Sequence, residues 1–506
     1  MKFRLLLPAL VASLSLFGIH AEEDEDLGFM GGPPEDSPDD GEDRGEGASK
    51  NDWCCGISGL TAAYNLQKLG YSVTVFEAEG RVGGKMESLY LENGVPARDT
   101  VVMDEETEAA AFELCGDQSP TDLGAIIGTG DNLKALADEL GVPYAPLSWN
   151  LDNVIVQLDG ETTSRFTRDQ FLGVSALQIA PEEDPQVAIG AAFQAFYATI
   201  ELFPEIATPR IDGNDPELAM PMTEFGEKYG FSVLVDGLRP VLVGYGYGYF
   251  EETPAGIVLK LMYPILLPAA TGSIIEVFGF PCGFQSIAEV MAQDMDVRLN
   301  AAVTSVERDD NYVTVQAEGQ PEEKFEQIVI STTLDIASTF LDINDEEAEL
   351  FAQQRYNRIV ATVANVESDG TDQQIYFYAE QGFEVNINHV NAVSQTYTNI
   401  TAEVAYQAVD ENITLDQAFQ VLAEDMADYW QGSVDELILQ REWPNYFPTV
   451  SSQDFADGFF DDMESLQGIR NTYFVGSYLL FENVPSAEQY ARDLILRKFD
   501  NVTERM

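Results

Sequence analysis

The chain is 506 residues long, 45% hydrophobic and 11% aromatic, enough for a large core and more than one domain. Its 87 acidic residues against 26 basic give a formal net charge of −61, a surface that repels nucleic acid and anionic membranes and stays soluble at high ionic strength. The two histidines are His20 and His389, and none of the four cysteines forms a Cys-x-x-Cys, so zinc sites built on His and Cys and most histidine-based acid–base schemes are excluded; no metal is expected.

In chain order, Lys2 and Arg4 precede an apolar run from Leu5 to Ile19, with the small residue Ala21 behind it. That is the composition of a secretory signal over residues 1–21; the run is broken by Pro8 and is shorter than the ~20 residues a membrane span needs. Residues 22–52 are rich in Asp, Glu, Gly and Pro and offer no apolar face, which predicts a disordered acidic leader. Sequons at Asn399, Asn412 and Asn501 fit an exported, glycosylated chain, so a secretory or extracellular location is expected. Four cysteines are too few for a disulfide scaffold. Cys54 and Cys55 are adjacent, and Cys115 and Cys282 pair only if the fold brings them together.

The stretch from Cys54 to Lys85 reads as most of a dinucleotide-binding βαβ unit. Gly56, Ser58 and Gly59 open a helix in which Leu60, Ala63, Leu66 and Leu69 recur at helical spacing. A β-rich run from Tyr71 to Phe76 follows and ends on Glu77. Glycines let backbone approach a pyrophosphate, the helix N-terminus supplies amide donors, and the acid holds a ribose hydroxyl pair. Cys54 stands where the first glycine of the fingerprint belongs, and Ser49–Trp53 replaces the apolar strand that precedes it.

Residues Met86–Pro120 read as an acidic surface insertion with helical character, followed by a helix from Asn132 to Leu140. Strands are expected at Asn153–Leu158 and Thr163–Phe166, and apolar helices at Ala188–Phe203 and Pro254–Leu267. Between those helices, Val243–Phe250 alternates aromatics with glycines, which suits either the wall of an aromatic cavity or simple core packing; Tyr245, Tyr247 and Tyr249 are the candidates for such a wall. Further on, a helix is expected from Gln285 to Gln293 and a strand over Phe325–Ser331. Strands at Ile359–Val366 and Gln374–Tyr378, a helix over Leu415–Trp430, a strand before Gly476 and a terminal helix Ala487–Lys498 complete the reading. His389 reads as structural or surface.

Glu77-Ala78 followed by Arg81-Val82-Gly83-Gly84-Lys85, then Asp122-Leu123-Gly124-Ala125, Pro281-Gly283-Phe284 with Val303, and Tyr473-Phe474-Val475-Gly476 resemble, in order, the FAD-binding motifs of the flavin amine oxidase and phytoene desaturase superfamily. Lys85 stands where Arg is more usual. Two subgroups look nearest. Val243–Lys260 with Asn445–Pro448 resembles the β-cyclopiazonate dehydrogenase family, and Gly476-Ser477 through Phe481–Val484 resembles the polyunsaturated fatty acid isomerases. The resemblance implies an α/β flavoprotein of two domains. A Rossmann-like FAD-binding domain would be built from residues 53–148, 279–334 and 449–506, and a substrate domain of mixed sheet and helices from 149–278 and 335–448. It further implies non-covalent FAD held by Gly56, Ser58, Gly59, Glu77, Ala78, Arg81, Gly83, Gly84, Lys85, Gly124, Ala125, Val303, Gly476 and Val484.

The activity so implied is hydride transfer from a small organic substrate to flavin N5, which asks of the protein only placement and a dry cavity. Ser477 and Pro485-Ser486-Ala487 depart from the amine oxidase pattern, which argues against an amine substrate. A second reading is a double-bond isomerase of polyunsaturated fatty acids, with Ile257, Val258, Leu259, Leu261 and Met262 lining a lipid tunnel or forming ordinary core. A third, prompted by Cys54 and the absent strand, is an inactive FAD-binding homologue or a gene model that lost the strand.

Overall fold

In the computed structural model the described residues are 55–91, 103–116, 119–147, 154–159, 162–211, 215–270, 277–309, 311–367, 374–380, 387–395, 402–430 and 433–500. The signal, the acidic leader, Cys54, Asn399 and Asn501 lie outside them. Asn412 is exposed in a turn ahead of a helix.

The chain first forms helix α1 (Ile57–Lys68), whose buried face is Ile57, Leu60, Thr61, Ala63 and Leu66. Leu69 ends it, and Gly70, at φ 90°, turns the chain into strand β1 (Thr74–Phe76). This strand begins three residues later than the β-rich run suggests. Strands β2 (Ser88–Leu91) and β3 (Ser119–Asp122) pair antiparallel on either side of helix α2 (Glu105–Cys115), so the ends of the expected surface insertion are structural. Strand β4 (Gly128–Thr129), helix α3 (Asp131–Leu140) and strand β5 (Ala145–Pro146) complete this part of the first lobe.

The second lobe opens with the hairpin β6 (Val154–Asp159) and β7 (Thr162–Thr167). A helical block follows: α4 (Arg168–Ile179), α5 (Pro185–Leu202), α6 (Met222–Tyr229), α7 (Ser232–Gly244) and α8 (Ala255–Ala270). The chain then returns through β8 (Val277–Gly279), α9 (Gln285–Ala292), β9 (Asp296–Arg298) and the antiparallel strands β10 (Val303–Arg308), β11 (Val313–Ala317) and β12 (Glu323–Phe325). The run Phe325–Ser331 is not one strand. Phe325 ends β12, edge-on to Phe76 at 6.0 Å, and the chain changes sheets to form β13 (Ile328–Ile330).

Helices α10 (Leu334–Phe340) and α11 (Asp345–Phe351) lead into the long strand β14 (Arg355–Glu367), then β15 (Gln374–Glu380), β16 (Val390–Gln395) and β17 (Ala402–Ala408). Helix α12 (Leu415–Asp425) gives way to a π turn over Met426–Trp430, so the expected helix is shorter than its pattern. His389 closes that junction: its Nδ1 lies 2.9 Å from Asp425 Oδ1. Strand β18 (Ser433–Thr449) adds to the expected elements and carries Pro444 and Pro448, residues that a central strand disfavours. It is an edge strand, and register shifts opposite β14 absorb the irregularity. The chain ends with β19 (Thr472–Phe474) and α13 (Val484–Phe499).

A seven-stranded sheet in the order β18-β14-β17-β16-β15-β6-β7 draws its strands from residues 154–167 and 355–449. In the first lobe the parallel strands form two separate pairs, β1 with β9 and β13 with β19. Among the described residues no strand leads into Gly56 to join the two pairs. Gly83 N–H donates to the Cys55 carbonyl at 2.9 Å, and Gly56 bridges Gly83 in parallel.

Cys115 at the end of α2 and Cys282 in the turn before α9 form a disulfide, Cα–Cα 5.8 Å. It closes a loop with a sequence separation of 167 and ties the acidic helix to the turn that faces β3. Cys282→Ala, or reduction, is expected to cost about 2–5 kcal/mol of stability by the chain-entropy argument. Urea unfolding with and without dithiothreitol checks this; coincident curves count against it.

Candidate functional site

The Gly-rich turns of the first lobe and the helices of the second meet at a cavity of about 310 Å³. Of the residues singled out in the sequence, Gly56, Ser58, Gly83, Gly84, Lys85, Gly124, Ala125, Gly476 and Val484 line it, as do Tyr245 and Tyr247. Gly59, Glu77, Ala78, Arg81, Val303 and Tyr249 do not. Val303 sits at the start of β10, paired with Ala317.

Gly56 caps α1 with extended backbone (φ −72°), no side chain caps the helix, and no acid lies in its first turn. A β-carbon built on Gly56 meets nothing within 4 Å, so the space over the helix N-terminus is open. The helix end therefore presents amide donors and the positive end of its dipole to an anion in the cavity. Glu77 sits behind this turn, 1% exposed, accepting from Cys55 N–H and Glu79 N–H at 2.7 Å each. Each carboxylate oxygen keeps a second lone pair for a hydroxyl. Burial pushes its pKa up to about 7.

The loop after Glu77 is pinned from several sides. Arg81 donates to the Gly84 carbonyl at 3.0 Å and to Glu87 Oε2 at 2.9 Å, so it shapes the loop rather than forming the wall. Glu87 is also held by Arg441 of β18, Nε to Oε2 2.7 Å. Gly124 packs directly on this loop: its β-carbon would lie 1.9 Å from the Lys85 carbonyl oxygen, which only glycine permits. Asp122, two residues earlier, accepts from Ser88 Oγ and from Phe284 N–H at 3.0 Å, and burial pushes it up to about 7 as well.

Lys85 is the charged centre of the wall. Its ammonium lies 2.9 Å from Glu482 Oε1, 3.3 Å from the Asn445 carbonyl and 5.1 Å from the centre of the Tyr446 ring. The other oxygen of Glu482 accepts from Ser477 Oγ at 2.8 Å. Tyr446 stacks on Tyr247 (centroids 6.4 Å, planes 13° apart) and on Trp443 (6.0 Å, 26°). Gly246, at φ 84°, lets the tyrosine-rich turn approach: a β-carbon there would stand 2.9 Å from the Tyr446 ring. Burial raises the pKa values of Tyr245, Tyr247, Tyr446 and Tyr478, so all four are neutral hydroxyls. Ile126, Ile127, Val241, Leu242, Leu261 and Ile265 give the wall an apolar stretch, and Thr129, Ser331, Thr332, Thr333 and Asn483 add polar side chains to it. Of the expected lipid-tunnel residues, Leu261 faces the cavity, while Ile257, Val258, Leu259 and Met262 belong to the core.

Tyr446, Ser477 and Glu482 were not among the expected site residues. Their stretches carry family resemblance, but nothing in their spacing reveals that β18 and the turn after β19 converge on Lys85.

A model of the flavin containing amine oxidoreductase family matches residues 57–375. The chain belongs to this family. Similar proteins include the FAD-dependent oxidoreductase oblC of Cochliobolus heterostrophus, 22% identical over 462 residues, covering 83% of this chain and 85% of that protein. Protoporphyrinogen oxidase 2 of Arabidopsis thaliana is 60% identical over 40 residues, 8% of each chain. Among solved structures, a fatty acid isomerase from P. acnes superposes with TM-score 0.67 at 21% identity, covering 89% of this chain and all of that one. Putrescine oxidase bound to putrescine superposes with TM-score 0.59 at 17% identity, covering 89% and 98%. At such identities the structural likeness carries the fold alone.

The flavoprotein is an oxidoreductase and its cofactor is FAD. The residues present fit that group: an uncapped helix end under open space at Gly56, a buried acid at Glu77, and a glycine loop at Gly83 and Gly84 with positive φ of 112° and 55°. Gly56→Ser keeps a good helix cap and its β-carbon has clear space, so the apoprotein melting temperature should hold while FAD affinity falls by about tenfold or more. Equal affinity in fluorescence titrations would refute this.

Glu77, Asp122 and Glu488, which is 1% exposed and likewise raised to about 7 by burial, also set a pH dependence. The folded protein holds their protons more tightly than the unfolded chain. The stability they contribute is therefore full below the ordinary carboxylate range and is lost as pH rises through about 7. The apoprotein should melt at a higher temperature at about pH 5 than at about pH 8, with a smaller difference in Asp122→Asn. A flat profile in differential scanning fluorimetry speaks against it.

Proposed function

We propose that this family member oxidises a small, largely apolar organic substrate within the secretory pathway or outside the cell. The observation that carries the reading is the meeting of the cofactor turns with the wall of Val241, Leu242, Tyr245, Tyr247, Leu261, Ile265 and Tyr446 in one cavity. When bound, FAD supplies a two-electron acceptor that takes a hydride at N5. The chain's own residues provide the rest. The apolar wall excludes water, the un-ionised tyrosines offer hydroxyls for orientation, and the Gly84–Lys85 backbone with Gly124 holds the loop that would carry the cofactor. Attachment would be non-covalent: among the described cysteines, Cys55 is buried and absent from the wall, and Cys115 and Cys282 are joined to each other. Export is supported by that disulfide, by the signal-like composition of residues 1–21 and by the exposed sequon at Asn412. Among the described residues no helix is long and apolar enough to cross a membrane.

A second reading, isomerisation of a polyunsaturated chain, draws on the apolar wall and on the likeness of fold to the fatty acid isomerase. Anaerobic mixing with candidate substrates separates the two. Oxidation predicts lasting loss of the long-wavelength flavin absorbance, recovered with oxygen uptake on admitting air. Isomerisation predicts a change in diene absorbance with no oxygen consumed. A flavin that no apolar substrate perturbs would defeat both readings.

A further inference from the structure

Far from the cavity, the sequon Asn412-Ile413-Thr414 is built into a helix start. Thr414 is the N-cap of α12, and its capping box is closed on both sides. The Thr414 hydroxyl accepts from Gln417 N–H at 3.2 Å and donates to Gln417 Oε1 at 3.1 Å. Thr414 N–H donates to that same Gln417 oxygen at 3.0 Å. The middle residue is held too. The Ile413 carbonyl accepts from Arg358 Nη1 at 2.9 Å, and its side chain packs against the buried cluster of Val360, Val409 and Ala418. Arg358 is in turn fixed by Glu442 of β18, Nε to Oε1 2.7 Å. Asn412 itself is exposed, with its backbone N–H donating to Asp410 Oδ1 at 2.7 Å.

We infer that Asn412 accepts an N-linked glycan before α12 folds, with Thr414 serving first the sequon and then the helix cap. The inference rests on the export argued above and adds the order of modification and folding. The donor is an oligosaccharide on a lipid pyrophosphate. Asn412 Nδ2 forms a bond to the anomeric carbon, the bond from that carbon to the pyrophosphate oxygen breaks, and the lipid pyrophosphate leaves. One amide proton of Asn412 passes to a base of the transferase. The enzyme reads the hydroxyl two residues beyond the asparagine, with the tripeptide laid along its surface. In the folded chain that hydroxyl is engaged by Gln417, and Ile413 is held by Arg358 and by apolar packing. The tripeptide cannot be lifted onto an enzyme without opening the cap. During synthesis the sequon emerges ahead of Gln417, Ala418 and Glu442, the residues that lock it. After transfer, the exposed asparagine directs the glycan to solvent while the cap closes beside it.

The test uses the full chain with Asn399→Gln and Asn501→Gln, so that a single sequon reports. It is expressed in eukaryotic cells behind its own N-terminus and, in parallel, behind a heterologous export signal. The first arm judges export and the second judges the site. Peptide mass spectrometry should find Asn412 glycosylated in the secreted chain of the second arm; bare Asn412 there overturns the inference. Timing is read with unglycosylated chain made in bacteria, given to solubilised oligosaccharyltransferase and its lipid-linked donor. A reduced, alkylated sample, shown by circular dichroism to be unfolded, should be modified about tenfold or more faster than the folded one, because the cap need not first open. Equal rates overturn the proposed order. Substitution separates the two roles of Thr414. Thr414→Asp and Thr414→Ala both destroy the sequon and should stay bare, but Thr414→Ala alone should lower the melting temperature, by about 1–2 °C. If the two variants melt together, the dual role of Thr414 is overturned.

Discussion

The carboxylate of Glu87 links the two lobes. It is held by Arg81, which also holds the Gly84 carbonyl, and by Arg441 on β18, the strand that carries Trp443, Tyr446 and the Asn445 carbonyl. The glycine loop of the first lobe is thus fixed to the edge of the seven-stranded sheet through a chain of charge-assisted hydrogen bonds. Such a carboxylate between two guanidinium groups is costly to disturb, because removing it leaves two cations facing each other in a partly enclosed place. The Lys85 contact with Asn445 fastens the same two elements a few residues away. Together they set the position of the aromatic stack relative to the turns that line the cavity.

Charge is distributed unevenly between surface and site. The chain as a whole is strongly acidic, yet the cavity has Lys85 matched one to one with Glu482 amid tyrosines and aliphatic side chains. Acidic side chains on the solvated exterior are screened by ionic strength. Glu77, Asp122 and Glu488 are drawn toward neutrality chiefly by desolvation.

The turn at Gly56 is held from several sides. With β1 paired to β9 and β13 to β19, the turn at Gly56 is positioned from the other side, by the Gly83–Cys55 hydrogen bond and by the packing of α1 on α13. Ser58 Oγ reaches the Ala487 carbonyl at 3.5 Å, and Ala487 itself lines the cavity. Among the described residues, the helix end is aimed by contacts with later parts of the chain.

Much of this protein was legible in the amino-acid order. The Gly56–Glu77 unit, the paired glycines and Gly124 are local devices: each needs a backbone shape or close approach that only certain residues allow, and their combined resemblance to a family's motifs, rather than any one spacing, pointed to FAD. The helices α3, α5 and α8 followed from apolar periodicity to within three residues at each end. What tertiary structure decided was of another kind. Strand β18 contradicts its own prolines and exists because an edge position tolerates them, and Tyr249 turns out of the wall that Tyr245 and Tyr247 form. The Cys115–Cys282 bond and the meeting of Lys85 with Glu482 join residues 167 and 397 positions apart. No local pattern encodes such pairs, because they arise only when separately folded elements pack and a buried charge must find its partner.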